Sequence, residues 1–195
     1  IIWFCSDNGG LKNISPTTVG NLKGNKNTMW EGGLRVPAII EWPETINPGI
    51  TKYPVSTMDI FPTLLEIVGL YPSNKYSNLD GKSITNLFEA NKQKRTLKIP
   101  FRFDNRGALI DNNIKLVVHD IKKLDFELYD LSKDPSESID ISKSNPQIFE
   151  LMKNEFLIWN NSVENEVNKM EINHPQHWVI IEKYINFFED WIKRP

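Results

Sequence analysis

Asp7 and Asn8 stand side by side, directly after the apolar run Ile1 to Phe4 and directly before Gly9-Gly10. A carboxylate and an amide oxygen in adjacent positions suit a hard cation such as Ca²⁺ or Mg²⁺, which takes oxygen ligands. Lys26 follows in a polar stretch, just ahead of Glu31-Gly32-Gly33. Brought back to the same place, its compact positive charge would face whatever anion the metal holds. These residue types point to a metal-assisted site for an oxyanion. The plainer readings are a polar turn satisfied by its own backbone at Asp7-Asn8 and a solvated loop lysine at Lys26. Lys23 lies nearby, and the spacing to the Glu31-Gly32-Gly33 turn selects Lys26 over it.

Such a site needs elements that hold its two halves together. Ile1 to Phe4 has the pattern of a buried parallel strand ending at a loop. Ligands of open α/β sheets gather at the carboxyl ends of strands. Neighbours on a strand point to opposite faces, so both side chains reach one ion only if the backbone turns, and Gly9-Gly10 gives that freedom. Val36 to Trp42 reads as a second buried strand, and Ser56 to Val68 as a helix capped by Ser56 or Thr57 and stopped at Gly69. Pro62 must fall in an early turn of that helix or kink it.

Residues 84–90 read as a short helix and the polar NKQKRT run as a linker. Arg106 to Ile110, Asn113 to His119 and Phe126 to Leu131 are strand candidates separated by turn residues, which predicts an antiparallel meander. Asn145-Pro146 is a helix start, cap then proline. Ile148, Met152, Phe156, Trp159 and Val163 then form one buried helical stripe. A final helix is expected from about Trp178 to Ile192.

Charged residues at 25% and hydrophobic residues at 39% of 195 describe an ordinary soluble protein with enough chain for a real core. Net charge is −2, so no global field steers it toward nucleic acid. No apolar run reaches membrane-spanning length, and the lone cysteine excludes an internal disulfide. The first residue is Ile, and the chain starts inside an expected strand, which reads as a fragment of a longer protein.

Taken in order, these segments resemble the carboxyl-terminal half of a type I, formylglycine-dependent sulfatase. SDNGG is similar to the family's late metal-binding motif, and KGNKNTMWEGGLRVPAIIEWP to its lysine, turn and strand segment. VSTMDIFPTLLEIVG, LDGKSI and ELYDLSKDPSE resemble the helix, turn and late strand that follow. The resemblance implies an alkaline-phosphatase-like α/β/α sandwich, of which residues 1–92 would be the carboxyl-terminal part. A small α+β subdomain with an antiparallel sheet (93–170) and a helical tail (171–195) would follow.

It also implies that Asp7 and Asn8 are Ca²⁺ ligands, that Asp7 lies close to the formylglycine nucleophile, and that Lys26 holds a sulfate oxygen. The substrate would be a small-molecule or oligosaccharide sulfate ester, by analogy that of a sugar, and residence periplasmic or extracellular. No C/S-x-P/A-x-R motif occurs here, so Cys5 is not the nucleophile, and the reactive residue is expected upstream, outside this chain. As it stands the chain is expected to have no turnover of its own and to fold poorly alone. A phosphodiesterase or phosphonate hydrolase of the same superfamily, or a non-catalytic remnant, are the rival readings.

In the implied fold the small subdomain edges the pocket, so Arg102 or Arg106 could hold a sugar hydroxyl or second anion; the plainer reading is strand-edge charges. Glu31, Gly32, Gly33 and Arg35 read as architecture, with Arg35 expected to pair with a buried carboxylate. His174 and His177 lack a third ligand for zinc, and His119 reads as structural.

Overall fold

The computed structural model describes residues 1–11, 13–14, 17–70, 79–89 and 94–173, with backbone only for 168–173. The expected helix from Trp178 and the residues His174 and His177 lie outside the described residues. Ile1–Lys153 form one compact unit and Asn154–Pro195 a second.

Strands β1 (Ile2–Cys5) and β2 (Ala38–Glu41) pair with each other, Ile2 opposite Glu41 and Cys5 opposite Ala38. The pairing is antiparallel, which corrects the parallel strand expected for Ile1 to Phe4. Within this chain alone Ile2, Phe4 and Ile39 are each more than 60% exposed. A short apolar run specifies a strand that prefers burial, but not its partner's direction or its cover. Between the two strands lie the polar loop and a single helical turn, α1 (Glu31–Leu34), whose Glu31, Gly32 and Gly33 are buried.

The segment after β2 follows its local chemistry closely. Ser56 caps a 3₁₀ turn, Thr57–Asp59, with a complete capping box: its side chain accepts from Met58 N–H, while Asp59 accepts from Ser56 N–H. Helix α2 (Ile60–Ile67) continues from that turn, with Pro62 in its first turn and Gly69 beyond its end at φ +72°. Asp59 also accepts Lys82 N–H (2.8 Å), which ties the LDGKS turn to the helix start.

Arg95, read from sequence as part of a linker, is instead buried. Its guanidinium donates to both oxygens of Asp59, at 2.7 and 2.9 Å. Residues 85–87 form a 3₁₀ turn where a short helix was expected.

The four-stranded sheet is an antiparallel meander: β3 (Ile99–Phe103), β4 (Arg106–Asp111), β5 (Ile114–Asp120) and β6 (Asp125–Asp130). The last three match the expectation. Strand β3 is an addition that the sequence hides, because Pro100 lacks an N–H and disqualifies a run as a central strand. It is tolerated here on an edge strand, opposite Leu109.

Helix α3 (Pro146–Asn173) starts at the expected proline. Met152 and Phe156 are buried, whereas Ile148 is 41% exposed, so the apolar stripe begins later than its spacing predicted.

Candidate functional site

Among the described residues, the loop carrying Asp7 and Asn8 is joined to the segment carrying Lys26 by backbone hydrogen bonds. Gly9 N–H donates to Gly33 O (2.9 Å), and Lys26 N–H donates to Gly10 O (2.8 Å). Gly32 N–H donates to Lys23 O (2.8 Å), which closes the lysine segment against α1. The approach is so close that it requires glycines: a Cβ on Gly9 would lie 2.0 Å from Gly32 O, and one on Gly32 2.4 Å from Gly24 O. The SDNGG and EGG motifs thus form one backbone-packed platform.

The platform is anchored to the sheet in two ways. Met29 is buried in an apolar cluster with Ala108, Val117 and Tyr129. In addition, Lys115 of β5 lies 2.8 Å from Glu31 Oε1 and 2.8 Å from Glu137 Oε1, all three side chains buried. Glu137 Oε2 accepts Glu31 N–H at 2.6 Å. Burial pushes the Glu137 carboxyl above its ordinary range, an effect that Lys115 only partly offsets. Arg35, expected to pair with a buried carboxylate, is exposed; the buried carboxylate of this turn is Glu31 itself, and Lys115 is its partner.

The two lysines of the loop are in different states. Lys23 Nζ donates to Glu137 O (3.0 Å) and lies 3.5 Å from the centre of the Trp30 ring, so its charge is engaged. Lys26 is exposed, and among the described residues its ammonium has no hydrogen-bond or ion-pair partner.

Trp30 also packs against His119 and Tyr129, with ring centroids 5.0 and 5.6 Å away. His119 Nε2 lies 2.6 Å from Glu127 Oε2, which also accepts the Tyr129 hydroxyl at 2.7 Å. Burial raises the Glu127 pKa, but the bonds from His119 and Tyr129 outweigh it and hold the carboxyl below its usual range. Burial and the Glu127 carboxylate both push the Tyr129 hydroxyl upward. His119 is thus held within this network at the end of β5.

Of Arg102 and Arg106, Arg106 is hydrogen-bonded to the lysine loop. Arg106 Nη1 donates to Asn27 O (3.0 Å), the carbonyl just after Lys26. Arg102 Nε instead lies 3.4 Å from Asp104 O in the β3–β4 turn.

The donor set fits part of a hard cation's shell. Asp7 is exposed, Asn8 is half-buried, and neither side chain has a hydrogen-bond or ion-pair partner among the described residues. Ca²⁺ takes roughly six to eight oxygens, so these two are a fraction of a shell. Among the described residues no group of three or more His, Cys, Asp or Glu could hold a metal. Cys5 lies in β1 opposite Ala38, in the strand itself. Sequence reasoning missed Lys115, Glu137 and Arg95, because a lone charge in an apolar strand or a polar run reads as solvated until a partner far along the chain is seen.

Residues 24–157 match the family model of the N-sulphoglucosamine sulphohydrolase C-terminal domain, and the chain belongs to that sulfatase family. The matched span includes Lys26, the Glu31-Gly32-Gly33 turn and the whole meander; Asp7 and Asn8 precede it. A sulfatase of Formosa agariphila is 36% identical over 163 residues, spanning 75% of this chain and 29% of its own. Human steryl-sulfatase is 34% identical over 54% of this chain and 19% of its own.

Among solved structures, Ps i-CgsB in complex with k-i-k-neocarrahexaose superposes with a TM-score of 0.67 at 29% identity, over 80% of this chain and 35% of that one. The Bacteroides thetaiotaomicron protein BT33336S-sulf does so at 0.69 and 22%, over 83% and 38%, which speaks to the fold alone. The fold is the α/β fold of the sulfatases, and the chain spans only 19% to 38% of the length of these relatives. No helix among the described residues is long and apolar enough to cross a membrane.

Proposed function

We propose that this chain is the carboxyl-terminal portion of a sulfatase that hydrolyses O-sulfate esters. In this reading residues 1–92 belong to the catalytic core and 93–170 form a small subdomain at its edge. The observation that supports the reading is the pair of backbone bonds, Gly9 to Gly33 and Lys26 to Gly10, that join the backbone of the Asp7-Asn8 loop to that of the Lys26 segment. Asp7 and Asn8 would hold Ca²⁺, whose chemistry when bound is to polarise the sulfate oxygens as a Lewis acid. Lys26 supplies a point charge to a sulfate oxygen, where negative charge accumulates during transfer.

The formylglycine nucleophile belongs to sequence outside this chain, since no C/S-x-P/A-x-R motif occurs in it. Arg106, which donates to the carbonyl just after Lys26, and Arg102 would meet a second anionic or hydroxyl group of the substrate. The complex of Ps i-CgsB with an oligosaccharide favours a sulfated carbohydrate as substrate. Residence in the periplasm or outside the cell accords with such a substrate.

The test is an ester assay on the full-length protein with matched sulfate monoesters and phosphate diesters, with and without a calcium chelator. Sulfate turnover lost on chelation and in Lys26→Ala and Asp7→Asn is expected. Equal or better turnover of the phosphate diester would overturn the sulfatase reading, and an inert protein would make the chain part of a non-catalytic relative.

A further inference from the structure

The segment that carries Lys26 is held not only by its own bond to Gly10 but also by contacts far from it. The segment from Lys23 to Glu31 is held at both ends by one residue, Glu137: its carbonyl accepts Lys23 Nζ (3.0 Å) and its Oε2 accepts Glu31 N–H (2.6 Å). Glu137 and Glu31 are in turn joined through Lys115, 2.8 Å from each, near the start of β5. Glu31 leads directly into Gly32 and Gly33, and Gly33 O accepts Gly9 N–H beside Asn8.

A set of ion pairs and hydrogen bonds therefore runs from β5 to both halves of the platform. Removing the ammonium would leave two buried carboxylates facing each other without compensation. The arrangement would relax by separating them, and one of them starts α1. Stability alone would not require this chemistry, because an apolar trio of similar volume packs as well or better in a core. What an ion pair adds is a fixed distance between two segments remote in sequence.

We propose that Lys115 and Glu137 are positioning residues of the sulfate site, setting the Lys26 ammonium against the Asp7-Asn8 pair without touching substrate. The proposal rests on the function proposed above. It assigns a second task to the strand-and-turn motif of the small subdomain: Lys115 and Glu137 work on the site through Glu31 and the glycines.

A double-mutant cycle on the full-length protein tests it. Lys115→Met, Lys26→Ala and the double variant are compared in kcat/KM on a sulfate ester, and each is titrated calorimetrically with inorganic sulfate. If Lys115 acts through Lys26, Lys115→Met lowers kcat/KM by about 10- to 100-fold, as misplacement of a charged group by about an ångström does. The same substitution made on Lys26→Ala then has little further effect, a non-additivity of contacting or linked residues. Sulfate binding weakens in the same non-additive way, and Lys115→Arg recovers part of the loss.

Additive losses in the cycle, or a Lys115→Met protein with wild-type kcat/KM and sulfate affinity, overturn the proposal. Should Lys115→Met fail to fold, Glu137→Gln replaces it in the cycle, since it keeps the shape and the carbonyl while removing the charge. A wild-type protein inactive on sulfate esters would instead sink the functional reading itself, a result the cycle separates from failure of the positioning role.

Discussion

Gly9→Ala is the most direct probe of the platform. Gly9 does not have a positive φ, so alanine is permitted by its backbone and the effect is purely one of space. The added Cβ would lie 2.0 Å from Gly32 O, 2.6 Å from Gly33 Cα and 2.7 Å from Gly33 C, all backbone atoms that no rotamer change can move. An ordinary carbon–oxygen contact is about 3.3 Å or longer, so the two loops must part by about 1 Å. That separation removes the Gly9 to Gly33 bond and strains the Lys26 to Gly10 bond, worth about 1 kcal/mol each. With the cost of overpacking, about 1–3 kcal/mol, the expected destabilisation is about 3 kcal/mol.

The catalytic consequence is of similar size, since Asp7-Asn8 and Lys26 would move relative to each other: about a 100-fold loss in kcat/KM, or about 2.7 kcal/mol. The assays are thermal unfolding and sulfate-ester kinetics of the full-length protein. Gly20→Ala is the control: Gly20 has φ +60° and a Cβ there would meet nothing within 4 Å, so the variant suffers backbone strain without a clash. Gly9→Ala kinetics within twofold of wild type, or equal to those of Gly20→Ala, would refute the platform as drawn.

Arg95→Met should cost about 3–5 kcal/mol, seen as a lower urea midpoint, because it leaves the buried Asp59 carboxylate without its bidentate partner. Met29→Ala should cost about 2–5 kcal/mol by opening a cavity under the lysine loop, and unlike Arg95→Met it should also weaken sulfate binding. The raised Glu137 carboxyl makes the folded state bind a proton more tightly than the unfolded state. Stability from this group is therefore full below the ordinary glutamate range and falls as pH rises through the higher folded value. Denaturation across that interval should show a decline that is flatter in Glu137→Gln, and an unchanged slope in that variant would assign the decline to other groups.

Much of this protein is local and was legible in the residues. Ser56 and Asp59 form a capping box, Gly69 stops the helix, Pro146 starts one, and the turn residues between apolar runs divide three strands of the meander. Asp7, Asn8 and Lys26 stand out in the sequence by type and by nearby glycines, and their chemistry is the proposal. Each of these signals is written within a few residues, on the scale at which capping, turns and periodicity act.

What the tertiary structure alone decided is which charges belong together. Lys115 reads as one cation in an apolar strand, Arg95 as part of a linker, Arg35 as the partner of something buried. Folding instead pairs Lys115 with Glu31 and Glu137, and Arg95 with Asp59, and leaves Arg35 exposed. It also sets β1 antiparallel to β2 and brings Gly9 against Gly33. The reason is physical: a buried charge is stable only beside its partner, and strand direction depends on what packs alongside. Neither the partner nor the neighbour is encoded near the residue that needs it.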